Sequence, residues 1–220
     1  MTEVVLCYHA ASPTWAHRFS VPPGQLLRQV RAIRRFRRVH ATFDDAYRNI
    51  GSVLPELLRM DVPVTIFVCT GFADNGGAPL TVPELTSEDA EDLATMSWDD
   101  LRDWVEQGVG VGSHTVSHPH LFPLSDEELR REFVESRTRI ETELGRECRW
   151  LAYPYGEHDE RVRNAARDAG YARAFTLRAA PGDDYSAPRV DLYRRDSVGR
   201  ALVKASPLHY PVGELLQRFR

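Results

Sequence analysis

Short apolar runs alternate with stretches of helical periodicity along most of this chain. The strand-like runs are Val4 to Tyr8, Val39 to Phe43, Val62 to Cys69, Val109 to Gly112, Trp150 to Tyr153 and Ala172 to Leu177. Strands that alternate with helices in this way predict a parallel sheet wrapped by helices. Several helix ends are readable. Ser97 and Asp100, and likewise Ser125 and Glu128, place an acid three residues after a capping serine, which opens helices that run to Gln107 before Gly108 and to Leu144 before Gly145. A third helix spans Asp159 to Ala169 and stops at Gly170, and Pro211 to Phe219 reads as a last one. Leu26, Val30 and Ile33 lie at helical spacing. The segment Gly71 to Thr86, with Gly76-Gly77 and two prolines, has no periodicity and predicts a long loop after a strand. Pro188 to Tyr193 reads as one more strand. No linker or repeat divides the chain, so residues 1–220 are expected to form one domain.

Composition narrows the class. With 220 residues and 42% hydrophobic residues the chain can bury a core without disulfides or a structural metal. The balance of 28 Lys+Arg against 32 Asp+Glu, net charge −4, argues against a protein whose business is binding nucleic acid. The run Arg31, Arg34, Arg35, Arg37 and Arg38 falls on the outer face of one amphipathic helix or just past its end, as a solvated face would. Cys7, Cys69 and Cys148 are far apart and form no C-x-x-C, so they read as small buried hydrophobes in a reducing compartment. The N-terminus lacks the features of a signal peptide and no apolar stretch is long enough to span a bilayer. The expectation is a cytoplasmic protein.

Three segments at predicted strand ends carry candidate chemistry. In Thr42-Phe43-Asp44-Asp45-Ala46-Tyr47 the strand presents two adjacent carboxylates, which repel one another when buried. A divalent cation resolves that conflict; an ordinary capped helix start is the alternative. In Gly112-Ser113-His114-Thr115-Val116-Ser117-His118-Pro119-His120 two histidines stand four apart. No Glu follows His114, and Pro119 pushes His118 out of the helical region, so the pair sits on a loop rather than on a metalloprotease helix. Beside Asp44-Asp45 it reads as a metal site, with structural histidines as the alternative. The third, Tyr153-Pro154-Tyr155-Gly156, is a strand followed by a Pro/Gly break, either an oxyanion-binding turn or an ordinary one.

Taken in order, these segments resemble the polysaccharide deacetylases with the NodB homology domain, carbohydrate esterase family 4. Val5-Leu6-Cys7-Tyr8-His9 resembles the opening strand, Thr42-Phe43-Asp44-Asp45 the first motif, Gly112 to Pro119 the second, and Tyr153 to Gly156 the third, in a Tyr-Pro-Tyr-Gly variant that marks a branch of the family. The resemblance implies an α/β fold, a distorted, incomplete (β/α) barrel of about seven strands. It implies a divalent metal, Zn2+ first and Co2+, Ni2+ or Mn2+ as alternatives, held by Asp45, His114 and His118. It makes Asp44 the general base and the Tyr155 backbone N–H an oxyanion donor. Two positions depart from the family pattern. Ala152 stands where an arginine usually holds the catalytic Asp, which makes Arg189 the candidate replacement. The general acid is a histidine after leucine on a late strand, for which His209 and His9 are the candidates.

The implied activity is removal of N-acetyl groups from an amino sugar in a polysaccharide, oligosaccharide or glycoconjugate. The loop Gly71 to Thr86, with Tyr47, Trp98 and Tyr155, could supply apolar surface for sugar rings, though Trp98 also suits a core position at a helix start. Two rivals remain at this point: an intracellular deacylase of a small-molecule or lipid-linked amide, and a degenerate sugar-binding protein without turnover.

Overall fold

In β1 (Glu3–Tyr8) and β2 (Arg38–Phe43) side chains alternate between a face that meets helices and a face that meets other strands. That alternation generates the architecture. The structure is a computed structural model that describes residues 2–81, 91–177 and 183–206. The later strands are β3 (Val64–Val68), β4 (Gly110–Ser113), β5 (Trp150–Ala152), β6 (Arg173–Thr176), β7 (Ala187–Pro188) and β8 (Val190–Asp191). Every pairing is parallel, and the order is β7-β6-β5-β4-β3-β2-β1-β8. The two ends of that order are consecutive in sequence: β7 pairs with β6, β8 pairs with β1, and Arg189 lies between them. The sheet therefore curls into a nearly closed barrel whose seam is crossed at one residue. The expected count of about seven becomes eight among the described residues because the last extended run is split there.

Helices α1 (Pro23–Ile33), α2 (Leu54–Arg59), α3 (Thr70–Asp74), α4 (Trp98–Glu106), α5 (Asp126–Leu144), α6 (Glu160–Asp168) and α7 (Val198–Lys204) connect the strands. Capping boxes at Ser97 and Ser125 open α4 and α5, and Gly145 ends α5 in the left-handed conformation. The main core lies between helices and barrel and includes Leu6, Val39, Phe43, Ile66, Leu101 and Phe133. A second, smaller cluster of Val5, Phe67, Ala152, Phe175 and Ala187, from five different strands, fills the barrel interior. Gly112 makes room for it: a Cβ there would stand 2.6 Å from the Phe67 ring.

Two expectations change, and parts of two others fall outside the described residues. Residues 71–74, read as loop, belong to α3, and residues 82–86 of that segment lie outside the described residues. Arg37 leaves the solvated face of the basic run; it is buried and donates to the Thr2, Glu3 and Ala205 carbonyls. The helix expected at Pro211 to Phe219 lies outside the described residues. No helix among the described residues is long and apolar enough to cross a membrane.

Candidate metal centre and active site

Because all strands run the same way, their C-terminal ends open on one side of the barrel, where loops of an α/β barrel place reactive groups. The inward alternation of β1 and β2 continues past the strand ends and brings Cys7, His9 and Asp44 together, with ligand atoms all within 4.8 Å of one another. Asp44 is buried, and both its oxygens are taken by Arg189: Nη1 to Oδ1 at 2.5 Å and Nη2 to Oδ2 at 2.7 Å. Arg189 Nη1 also donates to Thr42 Oγ1 at 3.1 Å, and the guanidinium lies over the Phe67 ring. Burial would raise the Asp44 carboxyl, but the Arg189 and His114 charges outweigh it and hold Asp44 far below the usual carboxylate range. Ala152, where the family pattern has arginine, packs its methyl against the Phe67–Phe175 layer on which Arg189 rests.

Asp45, the next residue, turns the other way because its backbone is left-handed, φ 68°. Its Oδ1 stands 3.4 Å from His114 Nε2 and 3.3 Å from His118 Nε2, and it is buried without a hydrogen-bond partner among the described residues. Two ligands each about 2.0–2.1 Å from a tetrahedral zinc would be separated by roughly 3.3–3.4 Å. The donor set and the orphaned carboxylate oxygen therefore fit a divalent metal. His114 Nδ1 contacts the Ala152 carbonyl at 2.7 Å, which directs the Nε2 lone pair to the same point. Burial lowers the His118 pKa to about 4, so this ring is neutral, as a ligand must be. For His114 burial acts in the same direction, but the Asp44 and Asp45 carboxylates overcome it and raise its pKa.

The loop bearing both histidines is strained and firmly held. Thr115 and His118 have φ of 71° and 58°. Pro119 does keep His118 out of the right-handed helical region, and the residue takes the left-handed one. Buried Glu132 of α5 accepts from Val116 N at 2.8 Å, Ser117 N at 3.0 Å and Ser117 Oγ at 2.8 Å. Ser136, one turn on, donates to the Thr115 carbonyl at 3.1 Å. Sequence reasoning missed both residues, although a signal exists: they fall on the stripe Leu129, Phe133, Ile140, where an apolar side chain is expected.

A pocket of about 230 Å³ sits over this cluster, lined among others by His9, Asp44, Asp45, His114, His118 and Tyr155. His9 lines it with Nδ1 buried and unpartnered among the described residues, and burial lowers its pKa. Tyr155 has φ 58°, faces His118 edge-on at 4.7 Å and stacks on His120 at 4.0 Å. Tyr47 and Leu80 also reach the pocket. Trp98 does not: it is buried and donates to Asp74 Oδ1 at 2.7 Å. His209 lies outside the described residues. A larger depression of about 630 Å³ between α5 and α6 holds none of these groups.

A nearly closed parallel barrel with an Asp-His-His donor set and an arginine-clamped carboxylate beside it belongs to the class of α/β proteins equipped for metal-assisted chemistry. The sequence profile of the polysaccharide deacetylases matches residues 31–174, and the chain belongs to that family. It is 26% identical over 156 residues, 70% of its length, to a chitooligosaccharide deacetylase of Sinorhizobium fredii (strain NBRC 101917 / NGR234). It is 25% identical over 136 residues, 61% of its length, to YxkH of Bacillus subtilis (strain 168). These matches span only 62% and 43% of those relatives' own lengths. The fold is that of the Streptococcus pyogenes deacetylase PplD solved with acetate, at TM-score 0.78 and 20% identity over 94% of this chain and 99% of that one. IcaB from Ammonifex degensii follows at TM-score 0.74 and 24% identity over 93% and 97%.

Proposed function

We propose that this protein is a metal-dependent hydrolase that removes N-acetyl groups from an amino sugar in a polysaccharide, oligosaccharide or glycoconjugate, within the branch that carries Tyr-Pro-Tyr-Gly. The observation that carries the proposal is the pairing of opposite environments at consecutive residues: Asp44 clamped by Arg189, Asp45 facing His114 and His118. Asp45, His114 and His118 would hold the ion, zinc being the best match to this donor set. When bound, the ion supplies Lewis acidity toward the acetyl carbonyl and toward water.

The remaining work falls to the chain. Arg189 keeps Asp44 ionised and fixes its carboxylate plane, so that Asp44 can take a proton from the attacking water. The Tyr155 backbone N–H, on a turn whose left-handed geometry aims it, donates to the oxyanion. Water oxygen bonds to the acetyl carbon, the C–N bond breaks, and the departing nitrogen receives a proton. His9, in the pocket beside Asp44, is one candidate donor and His209 the other.

Acetate release from a panel of N-acetylglucosamine oligomers and monosaccharide conjugates, with added zinc, cobalt or nickel, tests the reading. Asp45→Ala and His114→Ala should lose the metal, and activity should fall more than about a thousandfold, beyond the ~10²–10³ that one oxyanion donor costs. Asp44→Asn should retain metal and lose acetate release. Full metal content in Asp45→Ala and His114→Ala overturns the ligand set. A wild type that hydrolyses only a small non-sugar amide overturns the substrate, and one that binds metal and glycan without turnover overturns the enzyme.

A further inference from the structure

The pocket lining contains two carboxylates and two guanidiniums, and only one of the guanidiniums is spoken for. Asp44 is clamped by Arg189 and Asp45 faces the two histidines. Arg18 lines the same pocket, is exposed, and has no carboxylate within ion-pair distance among the described residues. Other arginines on the surface are also unpaired, but Arg18 shares a cavity with the reacting groups.

Its position is constructed rather than incidental. The guanidinium lies 4.4 Å above the Phe19 ring, and Phe19 in turn stacks on His9 at 4.6 Å and leans on Tyr193 at 5.8 Å. A guanidinium held over a ring by cation–π attraction still has N–H donors to offer an anion. The segment after β8 is tied to the Arg18 segment by Arg194 N donating to the Arg18 carbonyl at 3.0 Å, and the Arg194 side chain donates to the Trp15 carbonyl at 2.9 Å. That segment supplies a second cation, Arg195, with its Cζ 6.0 Å from the Tyr193 ring centre and again without a carboxylate partner among the described residues. The acids nearby are neutralised: Asp191 and Asp196 both pair with Lys204. Arg18 thus stands on the aromatic wall of the pocket, and Arg195 stands beside Tyr193, a member of that wall, on backbone tethered to the Arg18 segment.

We propose that Arg18, with Arg195 beside Tyr193 as a more distant second cation, forms an anion subsite at the edge of the pocket, so that the N-acetylated sugar this protein acts on carries a phosphate or a carboxylate on itself or on the unit next to it. The inference rests on the deacetylase reading for its reaction but not for its binding preference. Guanidinium hydrogen bonds to such oxygens are charge-assisted and bidentate, which gives both affinity and orientation.

Three sugars separate the possibilities: N-acetylglucosamine 1-phosphate, a disaccharide of N-acetylglucosamine and glucuronate, and the neutral N-acetylglucosamine disaccharide. At low salt the better charged substrate should exceed the neutral one about tenfold in kcat/KM, and the advantage should shrink as salt rises. Arg18→Gln should cut the charged-to-neutral ratio about tenfold, mostly through KM; Arg195→Gln should cut it less, and Arg18→Lys should retain part of it. Which charged sugar leads identifies the anion. Calorimetric binding of the same sugars to the metal-free protein should give the same ranking. Equal binding of charged and neutral sugars, or an unchanged ratio in Arg18→Gln, overturns the subsite. Ranked binding without acetate release overturns the deacetylase reading and leaves the subsite standing.

Discussion

The two ends of the barrel are made from the same strands and obey opposite rules. At the C-terminal end the backbone is bent out of its ordinary range: Asp45, Ala46, Thr115, His118 and Tyr155 all have positive φ, against Asp61 alone among non-glycine residues elsewhere in the described chain. Such conformations cost on the order of 1–3 kcal/mol each and persist where the surroundings over-determine them. Here they include Asp45 and His118 of the candidate metal site and Tyr155 at the pocket. At the N-terminal end the interior is regular, with His40 of β2 bonded to Thr65 Oγ1 at 2.9 Å and packed against Trp150. His114 shows the difference most clearly. Burial lowers the pKa of His40 to about 4, as it does for His118 at the other end, whereas at His114 the Asp44 and Asp45 carboxylates override burial and raise it. One end neutralises polar groups to keep a fold; the other opposes charges to keep a site.

The largest break in that contrast comes from Arg189, the residue at the seam, which belongs to both descriptions. Arg189→Met leaves Asp44 buried and unpaired, and removing one partner of a buried pair costs about 3–5 kcal/mol. Urea denaturation should register that loss, and kcat should fall with it because Asp44 is no longer oriented. Adding Asp44→Asn should recover part of the stability and none of the activity. A stability loss under about 1 kcal/mol in Arg189→Met would mean that the clamp is not a buried pair in solution.

At the opposite end His40 predicts a pH effect. Its folded pKa of about 4 lies below the unfolded 6.5. The unfolded chain therefore binds more protons between those values, and stability falls as pH drops from 6.5 toward 4. The full contribution is about 3 kcal/mol, present above pH 6.5. His40→Gln, which cannot titrate, should flatten that part of the curve in denaturation at pH 7.5 and 4.5. An unchanged slope sinks the idea that His40 is held neutral.

The regular end was the more legible from sequence. Alternation in β1, β2 and β3 and the serine caps of α4 and α5 follow from local chemistry, so the parallel sheet and most helix ends were readable, while its closure into a barrel was implied by the family resemblance. The split of β7 from β8 was not, because a strand that pairs on one side before Arg189 and on the other after it looks continuous in sequence. Asp44, Asp45, His114 and His118 were legible as types at strand ends, and Arg189 only through the family pattern from which Ala152 departs. Glu132 and Ser136 were hidden among the many charged residues of α5, and Arg18 among 27 arginines. Their meaning depends on which loop or ring they meet, and no local pattern encodes that.

The smallest effect tests whether strain at the C-terminal end is functional, by making one substitution at each end. Asp61 follows α2 and closes it as glycine usually does: Asp61 N donates to the Leu58 carbonyl at 2.9 Å and Val62 N to the Leu57 carbonyl at 3.1 Å, with φ 51° at Asp61. Asp61→Gly should stabilise the protein by less than about 1 kcal/mol and leave acetate release alone, since only the left-handed cost is relieved. Thr115→Gly relieves the same kind of cost but removes the hydroxyl that accepts from His118 N at 3.1 Å. Metal affinity should then fall about tenfold, the scale of a lost supporting contact, even if the melting temperature rises. Equal behaviour of the two variants would make the strain at Thr115 a by-product of the turn. Divergence would show that the Thr115 hydroxyl, held under His118 N by the left-handed backbone, helps to aim His118.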